Sequence, residues 1–72
     1  MQEKEDKLIY DLIFSDIELF SIDISDYISD IYEFEDFILK IKNILKKSKV
    51  KIITSDTKMS SKTVVWELKV KK

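Results

Sequence analysis

Between Tyr32 and Lys47 the chain carries a pattern that leaves little freedom about its centre. Phe34, Phe37, Ile38, Ile41, Ile44 and Leu45 recur at spacings of three and four residues and form one apolar stripe. Glu33, Asp36, Lys40, Asn43 and Lys47 fall on the opposite face. Acids occupy the first turn and lysines the last, which suits the helix dipole at both ends. A helix over 32–47 follows, and its stripe must be buried against the rest of the chain.

There is little else to bury it with. The chain has 72 residues, enough for one domain spanning 1–72, with no cysteine to staple it and no histidine. Domains of about this size bury only about 60% of the surface exposed by the unfolded chain. Apolar residues nevertheless make up 44% of the chain, with four Phe, three Tyr and one Trp, so a hydrophobic core is within reach.

The remaining elements are read by period. Leu8, Ile9, Leu12 and Ile13 predict an amphipathic helix over 5–14. Ser15, Asp16, Ile17 and Glu18 fit a capping box for a further helix, yet residues 17–24 also alternate as a strand does; a short extended piece near Glu18–Phe20 is preferred. Ser25–Asp30 reads as a short capped helix. Val50, Ile52 and Thr54, then Val64, Trp66, Leu68 and Val70, alternate as the strands of a hairpin over 49–71. Between them Ser55–Ser61 lacks the Gly or Asn of a tight turn, which predicts a longer, mobile loop. The expected fold is α+β: a winged helix-turn-helix, three helices followed by a two-stranded β-hairpin wing. Its expected core is Leu8, Leu12, Ile13, Phe34, Phe37, Ile38, Ile41, Leu45, Val50, Ile52, Val64, Trp66, Leu68 and Val70.

Tyr32-Glu33-Phe34-Glu35-Asp36-Phe37, followed by Lys49-Val50-Lys51-Ile52 and closed by Thr63-Val64-Val65-Trp66-Glu67-Leu68, resembles the winged-helix modules of plasmid replication initiator proteins. Leu8-Ile9-Tyr10-Asp11-Leu12 looks like the first helix of such a module. Initiators of that family usually carry two modules and a more basic contact helix. The resemblance implies DNA binding by the long helix and wing, and pairing with another copy or another protein.

The charge pattern points the same way by a separate route. Residues 1–37 hold two lysines and twelve acids, a balance of −10, and residues 38–72 hold eleven lysines and two acids, a balance of +9. Such asymmetry suggests an electrostatic partner; the alternative is that the halves attract each other, within one chain or in a head-to-tail dimer. The candidate nucleic-acid contacts are Lys40, Asn43, Lys46, Lys47, Lys49, Lys51, Lys58, Lys62 and Lys69, with double-stranded DNA the expected partner. Asn43 has the chemistry to read an adenine edge. The bland reading of the same lysines is a solvated surface. Glu33, Glu35 and Asp36 would repel phosphate from the start of the long helix, so contact is expected from its last turns and the wing.

The acids Asp11, Asp16, Glu18, Asp23, Asp26, Asp30, Glu33, Glu35 and Asp36 are read mainly as helix caps and solvated surface. The alternative function is an acidic protein-binding module or an inhibitor that imitates nucleic acid, with a protein partner or a homodimer at the amino-terminal half. Asp16, Glu18 and Asp23 have oxygen ligands for a hard cation but no calcium-loop pattern. No motif for catalysis or a cofactor is present, so no enzyme is expected. Trp66 and the Phe34–Phe37 pair could stack bases, but their phase favours the core. The start Met1–Lys7 lacks the apolar stretch of a signal peptide, and no run reaches the roughly 20 apolar residues of a membrane span. A soluble, cytoplasmic protein without membrane contact is expected. The absence of Gly, Pro, Ala and Arg matches AT-rich codon usage, as in a mobile element or virus, acting in replication or transcription.

Overall fold

The computed structural model describes the backbone of residues 3–72 and the side chains of 4–72; Met1 and Gln2, part of the amino-terminal stretch read above, lie outside the described residues. Helix α1 (Glu3–Phe14) leads to strand β1 (Leu19–Asp23). Two single 3-10 turns, Ile24–Asp26 and Ile31–Glu33, then deliver the chain into helix α2 (Phe34–Lys47). Strands β2 (Lys51–Met59) and β3 (Val64–Lys71) complete a three-stranded antiparallel sheet in the order β1-β3-β2.

The winged-helix expectation of three helices and a two-stranded wing is therefore corrected to two helices and a three-stranded sheet. Residues 25–30 do not form a helix because their side chains compete for the backbone. Asp23 accepts from the Ser25 N–H at 3.1 Å, and Asp30 accepts from the Tyr32 N–H at 3.0 Å. Each carboxylate stabilises one tight turn, which is what short polar side chains do more readily than support helix interiors. The extended piece near Glu18–Phe20 is longer than expected and belongs to the sheet, pairing Leu19 with Lys69 through to Asp23 with Val65.

One core lies between the two helices and the inner face of the sheet. It contains Leu8, Leu12, Phe37, Ile41, Leu45, Val50, Trp66, Leu68 and Val70, all expected, with Ile13, Phe34, Ile38, Ile52 and Val64 half-buried around it. Phe20, Ile22 and Ile24 are buried there too and were not foreseen. They come with β1: Phe20 stands opposite Leu68 and Ile22 opposite Trp66, so membership of the sheet puts them on the inner face. Tyr27 stacks on Phe37 with ring centroids 5.5 Å apart and closes the core beside α2. Burial, with Asp26 and then Asp11 adding negative potential, raises the Tyr27 hydroxyl above its ordinary pKa.

The hairpin also departs from expectation. Ser55–Met59 is strand, not mobile loop, and the reversal is confined to Ser60–Thr63. No backbone in the turn needs positive φ. Instead, Ser60 N–H donates to Thr63 O at 2.9 Å, and Thr63 N–H donates to Ser60 Oγ at 3.1 Å. Within β2 the register slips by one residue: Ile52 pairs with Val70, but Thr54 pairs with Lys69. Ile53 is the extra residue of a β-bulge, and the alternation reverses beyond it. Ser55 and Thr57 thereby share the inner face with Leu68 and Trp66, and Ser55 Oγ accepts the Trp66 indole N–H at 2.7 Å.

Lys72 secures the other end of the sheet. Its ammonium donates to the main-chain carbonyls of Asp11 at 2.9 Å and Ile17 at 2.7 Å, and also to that of Ser15. It lies over the Phe20 ring at 5.5 Å from the centroid. α1 has no basic residue in its own last turn, so this lysine supplies the positive charge that the helix C-terminus favours.

Candidate nucleic-acid interface

The end of α2 is built by a Schellman motif. Val50 N–H reaches back to Leu45 O at 2.9 Å and Lys49 N–H to Lys46 O at 3.1 Å, while buried Leu45 and Val50 supply the accompanying apolar contact. The motif requires a left-handed residue, usually glycine, at the position that Lys49 holds with φ 62°. The turn therefore swings the chain from the last helical lysines directly into Lys51 at the start of β2.

The result is a cleft of about 610 Å³ between the end of α2 and the beginning of β2, lined by Lys42, Asn43, Lys46, Lys49, Val50, Lys51, Ile52 and Ile53. Among the described residues, four lysines line it and no acidic residue does. Among the described residues none of these four lysines has an ion-pair partner; the ion pairs found are Lys40 with Glu5, and Lys58 with Glu67 at 2.8 Å. Only the first is a direct contact between the acidic half and the basic half. Lys51, in the lining of the cleft, stands directly opposite Lys71 across β2 and β3, a like-charge pairing that destabilises a sheet unless an anion screens it.

The nine residues singled out from sequence thus divide. Asn43, Lys46, Lys49 and Lys51 converge on the cleft. Lys40 is held by α1 through Glu5, and Lys58 is bound to Glu67 on the outer sheet face. The Glu67 hydrogen bond, then its charge, raises the Lys58 pKa. Lys62 sits in the β2–β3 turn, Lys69 opposite Thr54 on the outer face, and Lys47 in the last turn of α2 without lining the cleft. Lys42 was missed. It lies one turn before Lys46 on the same flank, a spacing of four that would have revealed it.

A second cleft, of about 440 Å³, shares Lys42 with the first and continues along the same flank of α2. Phe34, Glu35, Ile38 and Leu39 form its helical wall, with Ser55, Thr57 and Trp66 opposite. Asp16, Glu18 and Asp23, considered above as cation ligands, do not gather: among the described residues no group of three or more such side chains is placed to hold a metal ion. No described helix is long and apolar enough to cross a membrane. Comparison of the chain with protein-family models, with curated proteins and with solved structures finds no match.

Proposed function

We propose that this protein binds nucleic acid, holding the phosphate backbone in the lysine cleft between α2 and β2. The observation that carries the reading is the convergence of Lys42, Lys46, Lys49 and Lys51 on one concavity without a carboxylate among them. Unpaired ammonium groups gathered this closely repel one another, and a polyanion relieves that repulsion while releasing its own counterions. Asn43 supplies a neutral amide at the same place. A composition without Gly, Pro, Ala or Arg, such as AT-rich codons would give, fits a role in the replication or transcription of a mobile element.

The test is fluorescence anisotropy of labelled oligonucleotides at several salt concentrations. Four phosphate contacts give a slope of log affinity against log salt of about −2.8 on single strands and about −3.6 on duplex. Lys46→Glu with Lys51→Glu abolishes binding while leaving the circular dichroism spectrum intact. Unchanged affinity in that double variant refutes the reading.

A second reading keeps one specific observation. Tyr32 is 87% exposed, beside exposed Ile31 and among Asp30, Glu33 and Glu35. An apolar centre rimmed by acids suits a basic protein partner. Loss of a pulled-down partner in Tyr32→Ser, with oligonucleotide binding absent in the parent protein, would favour it.

A further inference from the structure

We infer that the ligand of the lysine cleft is a single strand of nucleic acid, an inference that rests on the reading of this cleft as a phosphate binder. A duplex carries its phosphates on the outside of a broad cylinder and is read by elements that protrude into its grooves. The lysines here line an open cleft between the end of α2 and the start of β2 instead. The first turn of α2 and the β2–β3 turn are poorly suited to a groove. The first turn of α2 carries Glu35 and Asp36, and the β2–β3 turn carries a single lysine, Lys62.

The cleft also exposes apolar surface that phosphate cannot use. The bulge leaves Ile53 as the unpaired residue, 50% exposed, among Lys46, Lys49 and Lys51. Bulges re-aim side chains, and this one presents an isoleucine where the surrounding chemistry is cationic. Along the flank, Leu39 is 58% exposed at the adjoining cleft. The faces of unstacked bases have a use for such surface, whereas the faces of bases inside a duplex are covered by their neighbours. Asn43 beside Ile53 offers an amide to the Watson–Crick edge of a base that has no partner.

The two clefts meet at Lys42 and together line one flank of α2 from Lys46 to Phe34. That run is about 18 Å at the helical rise per residue. Phosphates are held at its lysine end, bases lie over Ile53 and Leu39, and Glu35 closes the far end against further phosphate.

Anisotropy titrations decide it, using one labelled strand of about 12 nucleotides. That strand is presented alone, as its ribonucleotide counterpart, and annealed to its complement. The expected result is binding of a free strand at least about tenfold tighter than of the duplex, the tighter of the two free strands identifying deoxyribose or ribose as the source. Ile53→Ser and Leu39→Ser, both at exposed positions, weaken free-strand binding about three- to tenfold and leave the salt slope unchanged, because the bases and not the phosphates lose contact. Equal or tighter binding of the duplex overturns the inference and leaves phosphate binding standing. So does free-strand affinity untouched by both serine variants. No binding of any form at low salt overturns both.

Discussion

Lys49→Gly should stabilise the protein while weakening its hold on polyanions. Lys49 occupies the left-handed position of the Schellman turn with φ 62°, where a side chain costs about 1–2 kcal/mol. Glycine removes that cost but brings a more flexible unfolded chain, worth about 0.4–1 kcal/mol against it. The two ranges leave a gain of between about 0 and 1.6 kcal/mol, about 0.8 at their middle, or roughly 3–6 °C in Tm at that middle for a domain of this length. Relief of repulsion from Lys46 and Lys51 would also stabilise, so the comparison that isolates the backbone is Lys49→Ala. Alanine removes the same charge but keeps the Cβ that clashes at positive φ. Thermal and urea denaturation of the three proteins, followed by circular dichroism, should place the glycine variant above the alanine variant by about 1 kcal/mol. An alanine variant as stable as the glycine variant refutes the attribution to backbone geometry and leaves charge repulsion as the cause. Both variants should bind oligonucleotides with a salt slope shallower by about 0.7–0.9, one phosphate contact fewer.

Other outcomes follow from single contacts. Ser55→Ala strips the acceptor from a fully buried indole and should cost about 1–3 kcal/mol, with a shift of Trp66 fluorescence; an unchanged melting curve would mean the hydrogen bond contributes nothing. Lys72→Ala removes the cation from the last carbonyls of α1 and should cost about 0.3–1 kcal/mol, seen as faster amide exchange in the last turn of that helix. Because the folded Tyr27 hydroxyl titrates above its ordinary value of 10.0, the folded state holds that proton more tightly than the unfolded chain. Its contribution is full below pH 10.0 and is lost as pH rises through the folded value. Tyr27→Phe, which keeps the stack on Phe37, should flatten the alkaline fall in stability; a slope identical to the parent would assign that fall to other groups, Lys58 first among them.

The helices were legible because each buries a continuous stripe, and β3 because Val64, Trp66, Leu68 and Val70 alternate without interruption. β1 was legible only in part. Exposed Ile17 and Leu19 stand beside buried Phe20 and Ile22, and the apolar residues of both phases blur the period. The second half of β2 was illegible for a different reason. The Ile53 bulge reverses its phase, and Ser55 and Thr57 then face inward where neither helix covers them, so no apolar alternation marks the strand. The third helix failed where Asp23 and Asp30 cap single turns, a use of aspartate that reads in sequence like the start of something longer. At the lysine cleft, the stretch from the last turns of α2 into β2 brings together four of the nine residues singled out from sequence, Asn43, Lys46, Lys49 and Lys51. It could not show that Lys40 and Lys58 are engaged elsewhere, since their partners Glu5 and Glu67 are brought to them only by the fold.

The strand order has a consequence in time. Among the described residues β1 and β2 pair only with β3, the last of the three to be synthesised, so neither has a sheet partner there until it appears. About 40 residues separate the end of β1 from the start of β3, and at ordinary rates of about 5–20 residues per second their synthesis takes on the order of 2–8 s. During that interval Phe20 and Ile22 sit on a strand without a neighbour. The stretch 1–37 around them carries a balance of −10, and its self-repulsion opposes pairing of such strands on adjacent ribosomes until the eight lysines of residues 38–63 follow.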